Sequence, residues 1–254
     1  MQDCKVIRGD YKRRRASKKD QMVFMPDDQG PYVQLIMPTG VDHVITLDQA
    51  DALIESLLGQ VPPKCTVTPT IGMVSGRYFN YADPGDCPVI IEDVAHHLAN
   101  QSRYFGALAL PGYSIAQHCV LAAWNTEGDP FDALMHDAPE AVLGDVASPF
   151  KQLLRDYQRH EAVATEYFCR RFRYTHPDHA PGVKDIDRRL LATEVRDMLP
   201  AAHTRFPELW GFLKHIEPLT ERIEPWSFDE AKRQFLLTYE RHRPAGAPAA
   251  EIAL

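Results

Sequence analysis

Residues 131–145, Phe-Asp-Ala-Leu-Met-His-Asp-Ala-Pro-Glu-Ala-Val-Leu-Gly-Asp, gather ionisable side chains of the types that bind metals and move protons. At 3.6 residues per turn, His136 and Glu140 stand one turn apart on one helix face, with Asp137 beside them. Gly144 offers a helix stop and places Asp145 on the turn beyond. The apolar Phe131, Leu134, Met135, Val142 and Leu143 complete an amphipathic pattern. Taken alone, such a run also fits a solvated acidic face. What decides between the two is whether distant elements supply partners.

Such partners lie on two further helical segments. Ile115 to Trp124 is an apolar helix carrying His118, and Val183 to Leu199 is a helix carrying Asp187, with Asp185 two positions earlier. Two imidazoles (His118, His136) and two carboxylates (Asp137, Asp187) form a hard-to-borderline N/O set. It suits Mn, Co, Fe, Zn or, less well, Mg, with positions left over for water and substrate. A site of that composition points to hydrolysis.

The elements that must position these residues follow from the periodicity. Residues 32–37 and 41–45 flank a Pro38-Thr39-Gly40 turn and read as a β-hairpin. Thr46 with Gln49 makes a capping box for a helix that Gly59 closes before Pro62 and Pro63. Ile91, Val94, Ala95 and Leu98 begin a helical region. Leu153, Tyr157, His160, Ala164 and Phe168 line one side of a longer helix, and Ser227 with Glu230 caps a last one reaching about Arg241. The expected fold is mainly α: a helical bundle over 70–243, a small N-terminal β-hairpin-plus-helix module over 1–62, and a mobile tail over 244–254. Trp124, Trp210 and Trp226 are expected as core anchors or interface residues.

Composition narrows the function classes. The 254 residues carry a formal net charge of −7, which repels a phosphate backbone. Nucleic acid binding is therefore confined to the basic run at 11–19, Tyr-Lys-Arg-Arg-Arg-Ala-Ser-Lys-Lys. No apolar run approaches the roughly 20 residues needed to span a bilayer, and the N-terminus lacks the apolar stretch of a signal peptide. Five scattered cysteines without a C-x-x-C pair fit neither a disulfide framework nor a zinc-thiolate site. A reducing cytoplasm is the expected location.

The ordered pattern His118, His136-Asp137, Asp187 resembles the ligand signature of the HD-domain phosphohydrolases. Three stretches resemble one branch, the 5′-deoxynucleotidase-like enzymes and their phage relatives, which include a dATP triphosphohydrolase. They are Tyr113-Ser114-Ile115-Ala116-Gln117-His118, the run from Leu134 to Asp145, and the run from Val183 to Glu194. The likeness spans roughly residues 70–243 and leaves residues 1–66 outside. It implies an HD-domain helical bundle in which His118, His136, Asp137 and Asp187 bind a divalent metal ion. Asp187 is favoured over Asp185 because the family's ligand precedes a basic-leucine run. Glu140 and Asp145 match the family's catalytic acids. Arg103 and Lys151 match its phosphate-binding cations, and Tyr104 and Phe105 could pack against sugar or base.

The resemblance implies hydrolysis of the 5′-phosphate of deoxynucleoside monophosphates. The alternative enzyme reading is a dNTP triphosphohydrolase releasing triphosphate. The alternative of another class is a nucleic-acid-binding or regulatory protein with an inactive HD fold. It also implies a homo-oligomer, and a host cytoplasm if the chain is phage-encoded. Glu194, Arg196 and Asp197 are as well placed to brace their helix as to touch a ligand, and His96-His97 read as packing residues.

Overall fold

The computed structural model describes residues 5–6, 21–27, 30–36, 42–46 and 69–250, and divides the chain into two units, Met1–Thr66 and Val67–Leu254. In the first unit β1 (Lys5–Val6), β2 (Gln21–Asp27), β3 (Gly30–Ile36) and β4 (Asp42–Thr46) form one sheet in that order. The expected hairpin is β3–β4, antiparallel with Val33 opposite Ile45 and Leu35 opposite His43. Strand β2, which the sequence reading left unassigned, pairs antiparallel with the other edge of β3, and β1 runs parallel to β2. The basic run at 11–19, the helix expected after Thr46 and the Pro62-Pro63 linker lie outside the described residues.

The second unit opens with a two-stranded ribbon, β5 (Thr70–Gly72) and β6 (Tyr78–Asn80), and is thereafter helical. Its helices are α1 (Ile91–Asn100), α2 (Ile115–Asn125), α3 (Pro130–Met135), α4 (Glu140–Leu143), α5 (Ser148–Lys151), α6 (Arg155–Phe172), α7 (Val183–Met198), α8 (Pro200–Arg205) and α9 (Phe228–His242). The described chain is thus mainly helical, as expected. Phe79, Leu98, Leu134, Phe168, Phe172, Phe235 and Tyr239 are fully buried in one core to which α1, α2, α3, α6 and α9 contribute. Among the described residues no helix is long and apolar enough to cross a membrane, and Cys87, Cys119 and Cys169 are free.

Helix α2 is the central rod. Ser114 caps it by accepting from the Gln117 amide. Ile115, Ala116, Gln117, His118, Cys119, Val120, Ala122 and Ala123 are all buried, so little of the helix meets water. His118 is therefore carried into the interior by its helix. Asp129 caps α3 through the amides of Phe131 and Asp132, with Pro130 at the first helical position. Gly128 has a steric reason: a Cβ there would lie 2.1 Å from the Pro181 carbonyl oxygen. Without it the loop between α2 and α3 could not close against the start of α7, where Asp187 sits.

Several expectations need correction. The single helix foreseen from Phe131 to Leu143 is two short helices, Pro130–Met135 and Glu140–Leu143, separated by a turn. A regular α-helix would bond the residue-139 amide to the Met135 carbonyl, but Pro139 has no amide hydrogen. The Met135 carbonyl is taken by the Ala138 amide at 3.0 Å instead, and Glu140, Ala141 and Val142 also bond three residues back. This tighter winding turns Glu140 roughly 120° from His136 instead of about 40°.

Leu153 precedes α6 and is 77% exposed, so the apolar side of that helix is Ala164, Phe168 and Phe172. Of the two roles expected for Trp124, core anchor or interface residue, the first does not hold: it is half exposed with its ring against Trp226. The segment from 244 to 250, expected to be mobile, packs back on α9: Ala247 is buried, and the Tyr239 hydroxyl donates to the Pro248 carbonyl at 2.7 Å.

Candidate metal centre

Helices α2, α7 and the turn after α3 bring His118, His136, Asp137 and Asp187 together. His118 Nε2 lies 3.3 Å from His136 Nε2, 3.4 Å from Asp187 Oδ1 and 3.7 Å from Asp137 Oδ2. His136 Nε2 lies 3.3 Å from Asp137 Oδ2 and 4.0 Å from Asp187 Oδ1. Asp185 is elsewhere, lining a cavity of about 420 Å³ with Glu127 and Arg189, so the choice between the two aspartates falls on Asp187.

The other ring nitrogens decide what those Nε2 atoms are. His136 Nδ1 is 2.8 Å from the Ala133 carbonyl, which can only accept, so Nδ1 carries the proton. His118 Nδ1 is 2.7 Å from Glu194 Oε1 and likewise donates to it. Both Nε2 lone pairs then converge on one point between two carboxylates. Such a convergence is satisfied by a cation or by an added proton, and Nδ1 donation to a carbonyl or carboxylate is how ligating histidines are usually oriented. Ligand atoms about 2.0–2.2 Å from one ion lie roughly 3–3.6 Å apart; the 3.3 and 3.4 Å spacings meet that range, and those of 3.7 and 4.0 Å are slightly wider than a divalent metal would set. His118, His136 and Asp187 form one group able to hold an ion, and Cys119, His136 and Asp137 form another. The second is the poorer set, because burial, with Asp137 and Glu140, raises the Cys119 thiol well above its usual range and keeps it protonated.

Charge at the centre is finely opposed. Burial and Arg103 act against a charged His118, yet Glu194 and Asp187 outweigh them and bring its pKa up to about 9. Burial also works against an ionised Asp137, but His136, His118 and Arg103 hold that carboxyl well below its usual range. Asp187 is lowered too, burial being overcome by His118 and His136. Its side chain keeps 45% exposure, which leaves the site open on that side.

Glu140 is the opposite case. Burial, Asp137 and Asp145 raise its pKa well above the usual carboxylate value, and its buried Oε2 meets no hydrogen-bond partner in the protein. A carboxyl pushed towards its neutral form therefore stands beside two carboxyls, Asp137 and Asp187, that are held towards their ionised forms. Four side chains hold its helix α4, which is too short to persist alone. Gln101 donates to the Glu140 carbonyl, His97 bonds the Ala141 carbonyl, and the Tyr81 and Tyr157 hydroxyls donate to the Val142 and Gly144 carbonyls. His97 is thus a packing residue, as expected, but what it packs is the acid's own helix.

Arg103 is almost enclosed. Its Nη1 donates to Asp137 Oδ2 at 3.3 Å, and its Nε lies 3.3 Å from Glu194 Oε1 without hydrogen-bond geometry. Next come three residues of positive φ: Tyr104 (56°), Phe105 (54°) and Gly106 (77°). Left-handed backbone costs roughly 1–2 kcal/mol at each non-glycine residue. The Tyr104 amide donates to Asp145 Oδ2 at 3.2 Å and its hydroxyl to Glu194 Oε2, so this strained turn places Asp145 beside the centre. Lys151 is half-buried, paired with Glu161 and 5.8 Å from the Tyr157 ring centroid.

Comparison with known proteins adds kinship. No family model matches the chain. The chain is 38% identical to the Escherichia coli protein YfdR over 125 residues, 49% of this chain and 69% of that protein. The chain belongs to the YfdR family. It is also 39% identical over 88 residues to RCAP_rcc00048 of Rhodobacter capsulatus, of which it spans 45%. Both relatives are described as uncharacterized, so membership in the YfdR family brings no activity with it.

In this YfdR-family chain the residue that sequence reasoning left undecided is Glu194. It is fully buried and accepts from His118 Nδ1, the Tyr113 hydroxyl at 2.8 Å and the Tyr104 hydroxyl. Burial opposes its ionisation, but Arg103 and His118 bring its pKa down to about 2. Seven positions and about two turns after Asp187 on α7, it lies on the same helix face, and that register was the available signal. Its neighbours Arg196 and Asp197 are structural: Arg196 binds the Leu219 and Glu221 carbonyls, and Asp197 accepts from the Ile223 amide. The Glu194→Gln protein should bind Mn²⁺ about 10–100-fold more weakly. Because the His118 proton is then held less tightly, the pH at which metal uptake is half complete should move down. Calorimetric titration from pH 6 to 9 reads both, and a lower melting temperature with unchanged affinity and midpoint would show Glu194 to be structural only.

Proposed function

We propose that this chain is a divalent-metal-dependent phosphohydrolase that removes the 5′-phosphate of deoxynucleoside monophosphates. The observation that carries the reading is the convergence of two Nδ1-anchored imidazoles and two carboxylates, with a neutral carboxylic acid and an arginine at its rim. The motif resemblance to the HD-domain phosphohydrolases supplies the substrate class.

A divalent cation held by His118, His136, Asp137 and Asp187 would supply Lewis acidity towards a phosphoryl oxygen and a nucleophile from water near neutral pH. Arg103 presents a planar guanidinium to the phosphate, a group suited to paired phosphate oxygens. Lys151 adds a second positive charge once it leaves Glu161. Water attacks phosphorus as the bond to the 5′ oxygen breaks. Asp145, oriented by the Tyr104 amide, accepts the water's proton, and Glu140 gives its own proton to the departing 5′ oxygen.

Phosphate release from the deoxynucleoside monophosphates, measured with Mn²⁺ or Co²⁺ and with excess chelator, tests the reading. The expected result is turnover that chelator abolishes and added metal restores. Chromatography of parallel reactions with dNTPs would reveal triphosphate release, which would move the assignment to a triphosphohydrolase. No turnover of either series would reject the phosphohydrolase reading.

A further inference from the structure

Lys151 closes α5, and its backbone is tied to the start of α6, where the Gln158 side-chain amide donates to the Lys151 carbonyl at 2.9 Å. Its ammonium stands 5.8 Å from the Tyr157 ring centroid and donates to Glu161 Oε1 at 2.5 Å. Tyr157 and Glu161 are four residues apart and so share one face of α6. That face borders the centre, because the Tyr157 hydroxyl donates to the carbonyl of Gly144, the residue before Asp145. The Lys151 and Glu161 side chains are 23% and 27% exposed, so water only partly screens their attraction. Burial opposes a protonated Lys151, but Glu161, Glu140 and Asp137 together raise its pKa, and Lys151 is among the cations that oppose the rise at Glu140. Lys151 thus lies between two sources of negative charge, the centre and Glu161. In this structure Glu161 holds it.

We infer that Glu161 is a release latch that competes with a bound phosphate for Lys151. This inference rests on the phosphohydrolase reading and deepens it by naming what limits the grip on phosphate. Arg103 and Lys151 acting together would hold inorganic phosphate much as they hold the phosphate of a substrate, and product release often limits turnover. A carboxylate within reach of the same ammonium is an intramolecular competitor at high effective concentration. The flexible four-carbon stem of Lys151 lets its ammonium pass between the two while the helices stay in place. Glu161 acts through Lys151 and is therefore a positioning residue.

Binding of inorganic phosphate to the Mn²⁺-loaded full chain, measured by calorimetry in about 0.3 M KCl to screen longer-range charge, tests this. Glu161→Gln keeps the size of the side chain and removes its charge. It should tighten phosphate binding by about tenfold, the worth of one hydrogen bond to a charged group, and strengthen product inhibition by the same factor. In a Lys151→Met chain the same change should leave phosphate affinity within about twofold, because the residue through which Glu161 acts is gone. Glu161→Ala gives the same comparison if the glutamine variants do not fold. An equal gain in both backgrounds would show that Glu161 acts by its field alone, and no gain in the chain that keeps Lys151 would show that Glu161 withholds nothing. Either result overturns the inference, and turnover by the wild type leaves the phosphohydrolase reading intact. A Mn²⁺-loaded wild-type chain that binds no phosphate and hydrolyses no deoxynucleotide would overturn both.

Discussion

The His136→Ala protein is expected to bind no divalent cation at concentrations that saturate the wild type, and to lose all metal-dependent turnover. The change removes one of two converging Nε2 donors and leaves His118 with only carboxylates at the centre. It also takes away a group that holds Asp137 ionised, since His136 does most among the charges that lower that carboxyl. Two ligands are therefore weakened by one substitution. Metal analysis of dialysed protein, with circular dichroism to confirm that the helices remain, checks the result. Full metal occupancy in a folded His136→Ala protein would remove the metal centre proposed here.

Glu140→Gln should behave in the opposite way, keeping its metal while kcat falls by about 10²–10⁴, the usual range for a lost proton donor. Its second consequence is a gain in stability. The folded-state pKa of Glu140 lies well above its unfolded value, because burial, Asp137 and Asp145 all resist its ionisation. Below the unfolded pKa both states are protonated and the group makes no difference. As pH rises from there towards the folded pKa, the unfolded chain releases the proton first and the folded state loses relative stability. Glutamine never ionises and escapes that loss. In chelator the variant should therefore melt above the wild type at pH 8, with the gap closing towards pH 4. A melting temperature lowered at both pH values would show that Glu140 is not held neutral.

Much of the centre was legible because its members are unusual residue types in an ordered pattern. His118, His136, Asp137 and Asp187 are brought together where the motif expected them, and Asp187 prevails over Asp185 because only it faces the imidazoles. What periodicity could not supply was the backbone path between elements. Pro139 was within the motif, yet counting apolar positions at helical spacing passed over its missing amide hydrogen. The left-handed turn at Tyr104 and Phe105 was equally invisible, since neither residue type prefers it. Glu194 sat in register with Asp187, but a carboxylate on a helix usually faces water, and only packing against Tyr104, Tyr113 and His118 shows otherwise. Residues 244–250 were hard to read for a similar reason: small residues are poor core formers alone, yet Ala247 is buried where the chain returns to Tyr239.

The break at Pro139 also bears on how this protein can vary. His136 and Asp137 are fixed by the body of the bundle, whereas Glu140 rides on a separate four-residue piece suspended from Gln101, His97, Tyr81 and Tyr157. Changes in those four suspending side chains would shift the acid's position relative to the proposed metal position without altering a single donor atom. Under the phosphohydrolase reading, a lineage could in this way re-aim its proton towards a leaving group of different length with the proposed metal ligands unchanged. The same four contacts would be the first place to look when two close relatives hold identical ligands but prefer different substrates.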